Sequence, residues 1–238
     1  MAQELSGYAP AVKPARRKRS RFWMAMLALG GVAVLVGVGL ILGPIIAVML
    51  RGNADHSQLQ NWNQQNLRGA APGNAANAGH TVCGSSSPSD YALVKFDQPA
   101  DDHYAGVAGD GTWDLLNSRS MVHYTGTPDP GQRGNSIIAF HREPDYQNID
   151  QMKVADTITI QDRSCKTFTY KITGRWDIPP EKVTQLAPTS GYDLTLVTCD
   201  PWWQDYNRLV WRAQLVNPPS GSSGNGGSSS AAPSNPSF

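Results

Sequence analysis

Three side chains in this 238-residue sequence could together move an acyl group: Cys199, His141 and Arg208. Cys199 ends the run Leu194-Thr195-Leu196-Val197-Thr198, whose apolar and β-branched residues read as a strand. Asp200-Pro201 closes that run, because proline lacks the donor a sheet ladder needs. Leu209 to Val216 reads as the next strand, and a hairpin between the two returns Arg208 to the side of Cys199. A guanidinium beside a thiol favours the thiolate. A thiolate attacks a carbonyl to give a thioester; an imidazolium then protonates the leaving amine, and the neutral ring deprotonates the incoming nucleophile. Arg208 suits the remaining role, a donor toward the developing oxyanion. Arg212 is the rival, but four residues of strand are about 13 Å of rise, so only the arginine nearer the hairpin meets Cys199. Arg142 follows His141 directly, and strand alternation aims it away. The plainer alternatives are a buried structural cysteine and a satisfied core histidine.

The remaining candidates are weaker. His56, His80 and His103 fall in linker or loop sequence, and His123, next to Tyr124 on a short strand, reads as structural. Cys83, Cys165 and Cys199 include no C-x-x-C pair, and the histidines show no i, i+4 spacing, so no metal is expected. Asp101, Asp102 and Asp110 lack EF-hand spacing and read as turn residues. Nothing calls for a cofactor. A net charge of +1 and a 40% hydrophobic share, without an aromatic-interleaved basic face, exclude a nucleic-acid binder.

The elements that must position these groups are short strands. Tyr91–Phe96, Met121–Tyr124, Ser136–Phe140, Asp156–Gln161, Thr167–Thr173 and the two already described are separated by Gly, Pro, Asn and Asp. Asp97 to Gly111 reads as loop, Thr112 as the cap of a short helix over 113–117, and Asn148–Met152 as a helical turn. Seven or eight short strands with few helical periods predict an all-β barrel or sandwich.

Ahead of this domain lies a different kind of sequence. Residues 1–21 are polar and end in Arg16-Arg17-Lys18-Arg19 and Arg21. Residues 22–50 carry no charge, more than the roughly 20 apolar residues a membrane helix needs. The basic cluster before the run predicts a single-pass signal-anchor with a cytoplasmic N-terminus and an external domain. Residues 51–90, rich in Asn, Gln, Ala, Gly and Ser, predict a flexible linker. Residues 91–216 are the domain, and 217–238 a Gly/Ser-rich disordered tail.

The segments Thr195-Leu196-Val197-Thr198-Cys199, Arg208-Leu209-Val210, and His123-Tyr124-x-Gly126-Thr127-x-x-Pro130-Gly131-x-x-Gly134-Asn135 followed by Ile138-Ala139-Phe140-His141-Arg142 resemble the sortases. These are membrane-anchored cysteine transpeptidases of Gram-positive bacteria. The resemblance covers residues 91–216. It implies a closed eight-stranded β-barrel with short helices behind one transmembrane helix. It implies cleavage of an LPxTG-like sorting signal between Thr and Gly, and transfer to an amine of a peptidoglycan precursor or a pilin lysine. The partners would be sorting-signal-bearing secreted proteins, the amine acceptor and the membrane. Thr198 would help orient substrate or oxyanion, and Trp176, Ile178, Val183 and Leu186 would wall the signal's pocket. Phe140 stands where the family usually has glycine, and a side chain there is expected to narrow the groove or turn His141. With the nucleophile kept free, Cys83 and Cys165 remain as an even pair for a bridge outside the membrane. The different-class alternative is a catalytically silent wall-associated binding module on the same barrel.

Overall fold

Alternation builds the core. On each strand every second residue turns inward, and these residues form one apolar interior. It includes Ala92, Val94 and Phe96, Ile138 and Phe140, Ile158 and Ile160, Leu194 and Leu196, and Leu209 and Trp211. The computed structural model describes residues 21–69, 83–84, 87 and 89–218. Its strands are β1 Asp90–Phe96, β2 Ala105–Gly111, β3 Met121–Tyr124, β4 Gly134–Phe140, β5 Thr157–Asp162, β6 Thr167–Ile178, β7 Tyr192–Asp200 and β8 Asn207–Leu215. They close into a barrel in the order β1-β2-β3-β4-β7-β8-β6-β5, the all-β fold that the resemblance implied. The β2–β3 and β4–β7 pairs are parallel and the others antiparallel.

Two strand expectations change. The stretch read as loop up to Gly111 contains β2, whose sequence Ala-Gly-Val-Ala-Gly-Asp-Gly lacks the residues that announce a strand. Its glycines answer a packing need: a Cβ at Gly106 would lie 2.2 Å from the Tyr146 hydroxyl. Strand β6 runs on to Ile178, because β8 is long enough to pair with it through a register shift between Ile172 and Gly174. The 113–117 segment is a 3-10 helix, and the Thr112 side chain makes no capping bond.

The chain divides into two units at Ile45/Ile46. A single helix, α1, runs from Arg21 to Gly69 and contains a stretch long and apolar enough to cross a membrane. At 1.5 Å per residue, the apolar run spans about 44 Å, against a hydrocarbon core of roughly 30 Å. Where a flexible linker was expected from residue 51, the helix continues, and Leu59 and Trp62 pack with Leu93 and Val107 of the barrel. That contact explains the order: low intrinsic helicity is overcome when an apolar face finds a partner. Further along, Cys83 and Cys165 are joined as a disulfide with Cα atoms 5.1 Å apart. The expectations for residues 1–20, 70–82 and 219–238 lie outside the described residues.

Candidate active site

Register brings the three reactive types together. In the β7–β8 hairpin Cys199 and Arg208 are directly opposed. Residues so opposed have Cβ atoms about 5 Å apart. In the parallel β4–β7 pair Ala139 stands beside Val197, which carries His141 and Cys199 to neighbouring strand ends. Alternation then decides their direction. Ile137, Ala139, Val197 and Val210 lie outside the barrel interior in one apolar cluster with Val183 and Leu186. His141, Cys199 and Arg208 stand two residues from Ala139, Val197 and Val210, so they continue that outer face at one rim.

The outer cluster lies on the same face of the strands as Cys199. Trp176 and Ile178 pack against it, opposite Val210 and Arg208 on β8. The four wall residues read from sequence therefore sit together. Trp113, Leu116 and Tyr124 close the other side, with Trp113 and Tyr124 stacked at 4.4 Å. No sequence signal linked those three to the cluster, since their neighbours are set by the chain's return across the barrel. The loop between β6 and β7 is pinned from beneath: the Asn135 side-chain amide donates to the carbonyls of Gln185 and Ala187 at 3.1 and 3.0 Å, and the Thr195 hydroxyl donates to Asn135 at 2.7 Å. Asn135 and Thr195 stand in the quoted motifs, but the sequence does not tell that they hold this loop.

Two side chains turn away from this face. Phe140 is 3% exposed and packs inside the barrel against Phe96 and Tyr146, so it neither narrows the groove nor displaces His141. Thr198 is buried, and its hydroxyl donates to the Phe140 carbonyl at 2.7 Å, tying the ends of β4 and β7 together instead of facing a substrate. Arg142 is buried as well. It pairs with Asp200, approaches Asp150 at 2.6 Å and donates to the Gln147 carbonyl at 2.8 and 3.1 Å. It thereby joins the residue after His141 to the residue after Cys199.

His141 is held by backbone. Its N–H donates to Ser120 O at 2.8 Å, and its Nε2 lies 2.9 Å from Leu116 O. A carbonyl only accepts, so Nε2 carries the proton and Nδ1 is the basic nitrogen of the neutral ring. Burial pushes the imidazolium below its ordinary 6.5, and the Arg51 guanidinium pushes the same way, against the Leu116 carbonyl and Glu143. Burial pushes the Cys199 thiol up, and the downward pull of Arg208 does not overcome it. Where the sequence suggested an arginine-assisted thiolate, burial and Arg208 act in opposite directions on Cys199, and burial is the larger. Arg208 also donates to the carbonyls of Asp205 and Asn207 at 2.9 and 3.1 Å. Arg212 donates to the Gln185 carbonyl and sits 3.8 Å from Asp193, opposite Thr195 and away from the rim. His123 is buried, with Nδ1 2.9 Å from Asp110 and its ring stacked on Tyr91 at 4.5 Å. No group of three or more ligating side chains suited to a metal occurs among the described residues.

The Sortase domain profile matches residues 99–216, and the chain belongs to the sortase family. Among solved structures, a Clostridium perfringens sortase D5 transpeptidase is 22% identical with a TM-score of 0.49, over 71% of this chain and 99% of that one. Sortase E from Streptomyces avermitilis is 27% identical at 0.46, over 54% and 88%. A pilus-related sortase C of Group B Streptococcus is 22% identical at 0.48, over 55% and 69%. A search of curated proteins finds no match for the chain.

Proposed function

We propose that this sortase cleaves an LPxTG-like sorting signal between Thr and Gly and passes the acyl group to an amine of a cell-wall precursor or a pilin lysine. His141 takes the Cys199 thiol proton as the sulfur attacks the threonine carbonyl, and the bond between carbonyl carbon and glycine nitrogen breaks as the imidazolium passes that proton to the nitrogen. Arg208 donates to the oxyanion while the carbonyl carbon is tetrahedral. The incoming amine loses a proton to His141 and displaces the thiolate, which restores the thiol. The groove of Trp176, Ile178, Val183 and Leu186 takes the apolar head of the signal. Thr198 acts indirectly, by keeping the two strand ends in step.

What supports this reading most is the strand register, which sets Cys199 opposite Arg208 and His141 at the end of the neighbouring strand, beside the apolar cluster that contains Val183 and Leu186. The catalytic domain, residues 91–216, would stand outside the cell behind a single-pass anchor with a cytoplasmic N-terminus. The Arg16–Arg21 cluster supports that orientation. So does the Cys83–Cys165 bond, since disulfides persist in oxidising compartments.

The test incubates the purified full chain with Leu-Pro-x-Thr-Gly-type and Leu-Ala-x-Thr-Gly-type peptides, with and without an amine acceptor. Transfer product that disappears in Cys199→Ala supports the proposal. Free acid as the sole product under abundant amine would make the protein a hydrolase, and peptide binding without turnover would make it a binding module.

A further inference from the structure

The segment of α1 that follows the apolar run is built onto the domain along one helical face. Gly52, Asp55, His56, Leu59 and Trp62 recur at the three- and four-residue spacing of a single side. Gly52 is buried against the loop after His141, where a Cβ would lie 2.8 Å from Pro144 Cγ. His56 Nε2 is 3.2 Å from Asp145 Oδ1. The Asp55 carboxyl is buried beside Ser120, the residue whose carbonyl holds the His141 backbone. Arg119 donates to Gln58 at 2.7 Å. At the far end Trp62 is completely buried, and its indole N–H donates to Gln161 at 3.0 Å. The strap at Cys83–Gly84 closes over this tryptophan. Gly84 has φ +99°, and a Cβ there would lie 2.6 Å from Trp62 Cζ3, so the backbone needs glycine in order to lie flat on the indole. The disulfide holds the strap to Cys165.

Each contact near the start of this segment touches residues that hold or follow His141. Arg51, one residue before Gly52, has its Nε enclosed and without a hydrogen-bond partner among the described residues. Its charge acts on the imidazole. We propose that the helical segment from Arg51 to Trp62 is a working part of the active site: it braces the loop that carries His141, with Arg51 as a positioning residue at the start of the brace. The inference rests on the reading of His141 as the acid–base group. The groups that act on His141 are Arg51 from α1, Glu143 from its own loop and the Leu116 carbonyl from the 3-10 helix, while register sets Cys199 and Arg208 of the β7–β8 hairpin at the neighbouring strand end. Among these, Arg51 is the one supplied from outside the barrel.

The experiment uses the full chain in nanodiscs with 13C-labelled histidine, comparing wild type, Arg51→Gln, Arg51→Lys and Trp62→Ala. His141→Gln assigns the ring signal. In Arg51→Gln the His141 midpoint moves up, and the acid limb of kcat/KM moves with it; Arg51→Lys keeps both at the wild-type position. Trp62→Ala, which frees the far end of the brace, lowers kcat by about tenfold or more with KM little changed, as misplacement of a reacting group does. Identical midpoints in Arg51→Gln and wild type overturn the proposal, and the Arg51 pair decides it should Trp62→Ala not fold. Ring titration needs no turnover. An upward shift in a protein that processes no sorting peptide would leave the brace standing and remove the acyl-transfer reading instead.

Discussion

Removing the Arg208 charge is the sharpest probe of the rim, because Arg212 supplies a built-in control on the same strand and the same face. Arg208 is paired across from Cys199 and Arg212 across from Thr195. At about 5 Å and an effective dielectric near 20, a guanidinium stabilises a full negative charge by roughly 3 kcal/mol. Four residues further along the strand, at about 13 Å and the same dielectric, the figure falls to about 1.3 kcal/mol. A loss of 3 kcal/mol is about 150-fold in rate, within the range seen when an oxyanion donor is deleted. Arg208→Gln should therefore lower kcat by about 100-fold or more, and Arg212→Gln should change it by about tenfold or less. Because Arg212 also ties down the β6–β7 loop through the Gln185 carbonyl, its effect should fall on KM for the peptide. The assay is steady-state release of the signal's glycine fragment, with folding checked by circular dichroism. A kcat loss at Arg212 equal to or larger than that at Arg208 would refute the assignment, and with it the use of register to choose between them.

The pH response follows from the two buried groups. A lowered imidazole leaves the imidazolium present only below 6.5, and a raised thiol leaves the thiolate dominant only above 9.0. The profile of kcat/KM should be a bell with its limbs outside those two values, and alkylation of Cys199 by iodoacetamide should still be rising at pH 9; half-maximal alkylation below neutrality would mean a resting thiolate–imidazolium pair. Replacing Cys83 and Cys165 together by serine opens a bond that spans 82 residues of sequence. The loss should be about 2–4 kcal/mol in denaturant unfolding, and an unchanged midpoint would contradict the role of the strap over Trp62.

Local chemistry and patterning carried much of this protein into view. The uncharged run before Arg51 declares a helix long enough for a membrane, since no side chain along it prefers water. The alternation through Thr157–Ile160 and the β-branched run ending at Cys199 declare strands, because a half-buried pleat imposes a period of two. Proline after Asp200 sets where the strand ending at Cys199 turns, and so which arginine lies opposite Cys199. Other features depended on partners far away along the chain. Gly106 of strand β2 is crowded by Tyr146, and crowding by a residue some forty positions later leaves no periodic trace. Phe140 looked like an obstacle in the groove until the pleat turned it inward. The protonation of Cys199 also had to await the fold: adjacency to arginine is local, but desolvation is a property of everything packed around the sulfur, and here it is the larger effect. The helix beyond Arg51 has a linker's composition, and only a barrel wall offering Leu93 and Val107 to Trp62 gives that composition a reason to stay helical.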